Sequence, residues 1–447
     1  MKKFPLCFWN YATFEQIGED PVKDWVDAGF TMALSPVFRK GIDDPAQMTD
    51  LLDKCLQNGI SVIIDDKRCK WDGVLDSEED YRKNFTDMLN EFGRHKAVYG
   101  FYVGDEPQGP QAETVKKAVK IQKELCPEKE PFVNFLPYWD ESEADTGIED
   151  FDEWIHDIAV ESGLGQLSYD CYWQMNPDDP SHDGINRYYR SLKKYTDAAK
   201  RDSLPLWVTN LAVPHFQYTE PTLDDFRWQL NTTIASGASC VWWFFLYLRL
   251  PRVNYRMAPI DEKGNRTKGY ENLAMVQNTF QNQFGSLFTH LIHDETYHTL
   301  ITFGGYPRFE YKTHKYLKNV TSDSRISGLV SFFHTENGDE YMAFVNNSRT
   351  ESGMFTFKFT DRVKEIYRVA YTNCGQVMPT GSFIGNDKDA PTSKDVMYPV
   401  IKTENGSYEI NCRKNDNANC FCEKNGEIQN SAWLAPGQME VFRVVLK

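Results

Sequence analysis

Three acidic groups, each placed where an apolar run ends, are the residues of this chain best suited to chemistry. The run Ser61–Asp65 ends in Asp65-Asp66, Val98–Gly104 leads into Asp105-Glu106-Pro107, and Leu164–Asp170 ends in Asp170. Neighbouring carboxyls can divide the work of acid and base, and one beside a like charge keeps its proton to higher pH. Glu106, next to Asp105, is therefore the sharpest candidate for a general acid. The ends of other apolar runs carry Trp9-Asn10-Tyr11, Pro137-Tyr138-Trp139, Tyr172, Asn210 and Trp243. Carboxylate pairs cleave glycosidic bonds and aromatic rings stack on sugar faces, so this mixture suits a carbohydrate. A structural role competes at each position: Asp105 could cap the following helix, and Trp25, Trp154 and Trp228 fall in helical patterns that read as core. His215 follows the seventh run and could contact substrate.

Positioning such groups requires a scaffold, and the runs supply one. There are eight, starting at Pro5, Phe30, Ser61, Val98, Phe132, Leu164, Leu204 and Ser239, 25 to 40 residues apart. That interval holds one strand, one helix and two loops, and continuous hydrophobicity marks strands covered on both faces. Helix starts are written between them: Asp44-Pro45-Ala46-Gln47 reads as an N-cap, an N1 proline and a capping-box glutamine, and Ser77 precedes Asp80 in a second N-cap pattern. Eight βα units predict a (β/α)8 TIM barrel, an α/β fold whose active site lies where the strands end. No glycine-rich nucleotide motif follows a strand, so no cofactor is expected.

After about residue 295 the rhythm becomes that of an all-β module, expected to be a C-terminal sandwich. Ser331–Glu336, Asn337-Gly338 and Asp339–Phe344 predict a hairpin with a type I′ turn. Asn405-Gly406 and Asn425-Gly426 mark further turns, and Met439–Leu446 supplies a closing strand. The expected domains are thus 1–295, catalytic, and 296–447, accessory.

Composition bounds the partners. Lys+Arg number 49 against 65 Asp+Glu, a net charge of −16, which disfavours phosphate backbones and anionic membranes, so neither a nucleic acid nor a membrane is an expected partner. No apolar stretch reaches membrane-spanning length. Met1-Lys2-Lys3 is not followed by the apolar core of a signal peptide, so a cytoplasmic location is expected. Cys7, Cys55, Cys69, Cys126, Cys171 and Cys240 are scattered like buried thiols, while Cys412, Cys420 and Cys422 lack a fourth ligand at zinc spacing. No metal is expected.

The segment Tyr99-Gly-Phe-Tyr-Val-Gly-Asp-Glu-Pro107 resembles the acid/base site of clan A, the large clan of TIM-barrel glycoside hydrolases. More narrowly, the chain is similar to bacterial glycosidase-like proteins with Gly-Asp-Glu-Pro after strand 4. These also carry a Ser-Tyr-Asp-x-Tyr segment after strand 6, here Ser168 to Tyr172, and Arg227-Trp228-Gln229 with Gly237-Ala238 matches the stretch before their strand 8. The resemblance covers residues 1 to about 295, and implies a glycosidase with Glu106 as acid/base. Two departures stand out: the clan's Asn before the acid is Asp105 here, and its strand 7 nucleophile, a Glu, is replaced by Asn210. Asp170 is the favoured second carboxylate, as base or nucleophile, with Glu220, Asp65 and Asp66 as alternatives. Trp9, Asn10, Asp65, Asp66, Asp105, Tyr138, Tyr172, Asn210, Glu220 and Trp243 form the expected substrate-binding set. The rival readings are a carbohydrate-binding barrel without turnover, and a lyase or transglycosidase using the same carboxylates.

Overall fold

The computed structural model describes residues 2–369 and 427–447, apart from 19, 178–182, 249–253 and 311–312, together with short strands at 400–402, 408–410 and 421–424. Cys412, Cys420 and the two turns Asn405-Gly406 and Asn425-Gly426 lie outside the described residues. The chain divides into two units. One comprises Pro5–Thr222 with Ala238–Gln277, and the other Met1–Phe4, Leu223–Gly237 and Asn278–Lys447.

Each of the eight apolar runs contains a strand: β1 Leu6–Phe8, β2 Met32–Leu34, β3 Ser61–Ile64, β4 Val98–Asp105, β5 Glu130–Asn134, β6 Leu167–Asp170, β7 Leu206–Leu211 and β8 Cys240–Phe244. They form two parallel four-stranded sheets, ordered β1-β8-β7-β6 and β2-β3-β4-β5. The sheets are linked at both margins. Thr31 N–H donates to the Leu6 carbonyl at 3.0 Å between β1 and β2, and Phe135 N–H donates to the Ser168 carbonyl at 2.7 Å beside the Phe135–Tyr169 bridge.

Side chains from both sheets meet in one core that includes Cys7, Met32, Ile63, Tyr102, Phe132, Trp207, Trp242 and Phe244. The helices close the other face, and their caps follow the sequence. Asp44 accepts from Ala46 N–H at 2.9 Å while Gln47 returns a bond to Asp44 N–H at 3.2 Å, and Ser77 accepts from Asp80 N–H at 3.1 Å. The six scattered cysteines are buried free thiols. No helix among the described residues is long and apolar enough to cross a membrane.

In the other unit, β9 Leu291–His298, β10 Leu317–Ser322, β11 Gly328–Thr335, β12 Glu340–Asn346, β13 Gly353–Phe359, β14 Val363–Arg368, β15 Val400–Lys402, β16 Tyr408–Ile410, β17 Phe421–Lys424, β18 Glu427–Leu434 and β19 Met439–Leu446 follow in order. Two antiparallel sheets, β14-β19-β12-β11-β9 and β10-β13-β18-β17, share a core of Phe332, Phe344 and Phe442 from the first and Phe355, Phe357 and Leu434 from the second. The hairpin β11–β12 is present, but its turn is not type I′. Only Gly338 takes a positive φ, +82°, with Thr335 N–H bonded to the Asp339 carbonyl, whereas type I′ needs a positive φ at Asn337 as well. The helix Leu223–Ala235 belongs to this unit: Trp228 Nε1 donates to Asn347 at 3.0 Å, Asn231 Nδ2 to the Gly437 carbonyl at 2.8 Å, and Arg349 pairs with buried Asp225 at 2.7 Å.

Candidate active site

The site is built at the end of β4 by a one-residue irregularity. Along β4 and β5, Tyr102 pairs with Phe132, Gly104 with Val133 and Asp105 with Asn134, so one extra residue lies between Tyr102 and Gly104. Side chains alternate along a strand, and three residues of separation would put Tyr102 and Asp105 on opposite faces. The bulge cancels that offset and brings Asp105 to the face that Tyr102, Phe132 and Asn134 share. Glu106 extends the ladder by one bond, its N–H donating to the Asn134 carbonyl at 2.8 Å. Its φ of +46° lies in the left-handed region, a strained position for a residue with a side chain.

Asn134 joins the carboxylates. Its Nδ2 donates to Asp105 Oδ1 at 3.0 Å and to Asp170 Oδ1 at 2.7 Å, while its Oδ1 accepts from Ser168 Oγ at 3.1 Å. Asp170 also accepts from the Tyr172 hydroxyl, and its charge acts on the Glu106 carboxyl. Lys70 attracts Asp105, pairs with Asp65 at 2.7 Å and sits 3.0 Å from the centre of the Tyr102 ring.

All three carboxyls hold protons above their ordinary range, and burial is the first cause in each case. For Glu106 the negative charges of Asp170 and Asp105 add to burial, and it is displaced furthest. For Asp105 the Asn134 bond and Lys70 work against the rise. For Asp170 repulsion from Asp105 adds to it, while Asn134 and Tyr172 oppose it. Asp105 and Glu106 remain open to water at the strand end, which gives substrate access and screens part of the repulsion. The arrangement can hold one proton on Glu106 beside a negatively charged aspartate.

Aromatic rings surround the cluster. Tyr172 stacks on Phe244 at 5.1 Å and meets His215 and Tyr218 edge to face at 5.7 and 6.0 Å. Tyr218 feels the charges of Asp170 and Glu106. His215 donates Nδ1–H to the Val213 carbonyl at 2.9 Å, and burial keeps the ring neutral by lowering its pKa. Trp71 lies over Gly104, where an added Cβ would come within 2.4 Å of its ring.

Of the residues singled out in the sequence, Asp105, Glu106, Asp170 and Tyr172 come together, and Asp65 joins them through Lys70. The others are placed elsewhere. Trp9 is a core residue, packed on Tyr102, Phe132 and Trp242. Asn10 is buried and holds its own loop, accepting from Ala12 N–H at 2.8 Å. Asp66 is occupied by Arg68, which bonds both its oxygens between the rings of Phe38 and Phe92. Tyr138 packs on Phe151 and exchanges backbone bonds with Ser191 Oγ.

Asn210 and Trp243 are paired neighbours and fully buried. Trp207, Leu211, Trp242 and Phe244 face the core, so strand alternation turns Asn210 and Trp243 to the opposite face. Trp243 there donates Nε1–H to Gln277 at 3.1 Å. Glu220 is exposed in the loop after β7. Asn134, Lys70, Trp71 and Tyr218 escape a reading of the sequence, and Ser168 enters it only as the first residue of the Ser-Tyr-Asp-x-Tyr segment. The available signal for Asn134 was a single polar residue inside the run Phe132–Leu136; β5 ends there, two residues before the run does.

No protein-family model matches the chain, and no curated protein matches it. Among solved structures, the chain is similar to the β-galactosidase of the psychrophilic Marinomonas ef1, with a TM-score of 0.47 and 12% identity over 62% of this chain and 59% of that one. The β-galactosidase of the Antarctic haloarchaeon Halorubrum lacusprofundi gives 0.47 and 12% over 64% and 59%. A GH10 xylanase of Thermobacillus composti gives 0.41 and 11% over 61% and 96%. The chain thus spans less than two thirds of the two galactosidases' length.

Proposed function

We propose that this chain is a glycoside hydrolase, its eight parallel strands closing into a (β/α)8 barrel and its C-terminal sheets forming a sandwich. The observation that carries the reading is the meeting of Asp105 and Asp170 on one side-chain amide, Asn134, with Glu106 next in the chain and bonded through its N–H to the Asn134 carbonyl, at strand ends beside half-buried rings. Glycosidic cleavage needs an acid that is still protonated near neutrality and a second carboxylate that is not. Glu106, pushed up by burial and by two aspartates, suits the first role. Asp170, which accepts from Asn134 and Tyr172, suits the second.

In catalysis Glu106 gives its proton to the glycosidic oxygen, and Asp170 supports the positive charge that grows at the anomeric carbon. Tyr172 and Tyr218 supply surface for the sugar ring. A panel of aryl glycosides incubated with the wild-type protein, with products followed by proton NMR, tests the reading. Release of the reducing sugar is expected. Sugar binding with no turnover would support a binding protein instead, and an unsaturated product would support a lyase.

A further inference from the structure

The C-terminal sheets leave a cleft between their margins. β9 is the last strand of one sheet and β10 the first of the other, and among the described residues β10 has β13 alone as a neighbour. Beyond β9 the chain is pinned at Thr299, whose N–H donates to the Gly328 carbonyl at 2.9 Å. It turns at Gly304 and Gly305, both with positive φ, and returns along β9, where Phe309 N–H donates to the His298 carbonyl at 2.8 Å. The returning residues 308–310 and the edge strand β10 line one cleft of about 430 Å³, within the size range of small-molecule sites.

Two arginines line it, Arg308 and Arg325, with Glu310, Asn319 and Thr321 among the other polar groups and Leu300 and Phe309 among the apolar ones. Elsewhere in this unit Arg349, Arg368 and Arg443 each pair with a carboxylate, at 2.7, 2.6 and 2.7 Å. Arg308 and Arg325 have no such partner among the described residues, although Glu310 lines the same cleft. Arg325 also holds φ at +57°, in the left-handed region, where glycine or asparagine would sit with less strain. A strained backbone thus keeps an uncommitted cation at the cleft.

We propose that this cleft is a second binding site, in the other unit from the carboxylates at the end of β4, and that it takes a sugar residue carrying a carboxylate, a uronide. Guanidinium forks match a planar carboxylate with paired N–H donors. The sugar hydroxyls find the partners they need in the Glu310 carboxylate, which accepts, and in the Asn319 amide and Thr321 hydroxyl, which do both. Edge strand β10 adds free backbone groups. Leu300, 38% exposed, and Phe309 offer an apolar surface to the C–H face of the ring. A simple anion would use the arginines and meet Glu310 as a repelling charge, whereas a ligand with hydroxyls uses all three. The site holds whether or not Glu106 cleaves a glycosidic bond.

The test is calorimetric titration of the full chain, at one ionic strength, with methyl β-D-glucuronide, methyl β-D-glucoside, acetate and a hexa-aspartate peptide. The uronide is expected to bind at least about tenfold more tightly than the other three. Arg308→Met and Arg325→Gly should each weaken uronide binding about tenfold or more with thermal unfolding unchanged. Arg362→Met, at an exposed arginine outside the cleft lining, should leave binding as it was. Acetate binding as tightly as the uronide means a simple anion site, and tighter binding of the peptide means a strand-pairing groove. Uronide binding that survives both cleft variants lies elsewhere in the chain, and equal weakening by Arg362→Met means diffuse charge. Each of these results, or the absence of uronide binding, overturns the proposal.

Discussion

Glu106 is a charged residue placed where its charge is unwelcome, and that has a measurable cost. Its folded pKa is raised, so the native state binds this proton more tightly than the unfolded chain does. The associated stability is fully present below the ordinary glutamate pKa and is lost as pH rises through the folded value. Glu106→Gln removes the ionisation but keeps a donor for Asp170. Thermal unfolding should therefore find the variant close to wild type at about pH 4 and more stable than wild type at about pH 9. A variant less stable than wild type at both pH values would contradict this.

Asn134 acts through its neighbours. Its amide favours the ionised forms of Asp105 and Asp170 and so lowers their pKa values. Asn134→Ala should move the acid limb of the kcat/KM profile to higher pH and lower the maximum on the order of tenfold. A lower maximum with an unmoved limb would mean that the amide merely fills space. Glu106 and Asp170 were legible in the sequence because a carboxylate after an apolar run stands out. Asn134 was not, since its importance lies in two bonds to residues 29 and 36 positions away.

At the scale of elements, all eight strands were legible because a doubly covered strand writes itself as an unbroken apolar run. The faces were less so. Asn210 and Trp243 look like site residues at strand ends, yet strand alternation turns them away, and an apolar run does not reveal its own phase. The bulge in β4 was equally hidden, although it is what aims Asp105. Gly104 makes room there for Trp71, whose ring an added Cβ would meet at 2.4 Å. Gly104→Ala should cost about 1–3 kcal/mol by overpacking, and should reduce kcat by shifting Asp105 and Glu106. The added change Trp71→Ala should recover part of the stability, so the two costs measured by thermal unfolding will not add. Strict additivity would contradict the proposed clash.

For the whole molecule, the sequence showed a change of rhythm near residue 295 but not the allegiance of the helix Leu223–Ala235. That helix follows β7 and precedes β8 along the chain, yet it groups with the C-terminal sheets. Its tie is polar and long-range, and no local pattern announces it: buried Asp225 is 124 residues from its partner, the partly buried Arg349. Arg349→Met should leave Asp225 without that cation and lower stability by about 2–4 kcal/mol. Denaturant unfolding that finds a change below 1 kcal/mol (within the usual range for about-neutral surface substitutions) would contradict the assignment. The net charge of −16 is mostly solvated surface, and a few of its carboxylates are concentrated at Asp65, Asp105, Glu106 and Asp170.

The central claim is that Glu106 delivers the proton to the departing oxygen. It is tested most directly by the kcat/KM of wild type and Glu106→Gln on two glycosides of one sugar, one with a nitrophenyl and one with an alkyl leaving group. A lost general acid should cost about 100-fold or more on the alkyl glycoside and far less on the nitrophenyl one, whose oxygen departs without a proton. Equal losses on both, or none on the alkyl glycoside, would contradict the role assigned to Glu106.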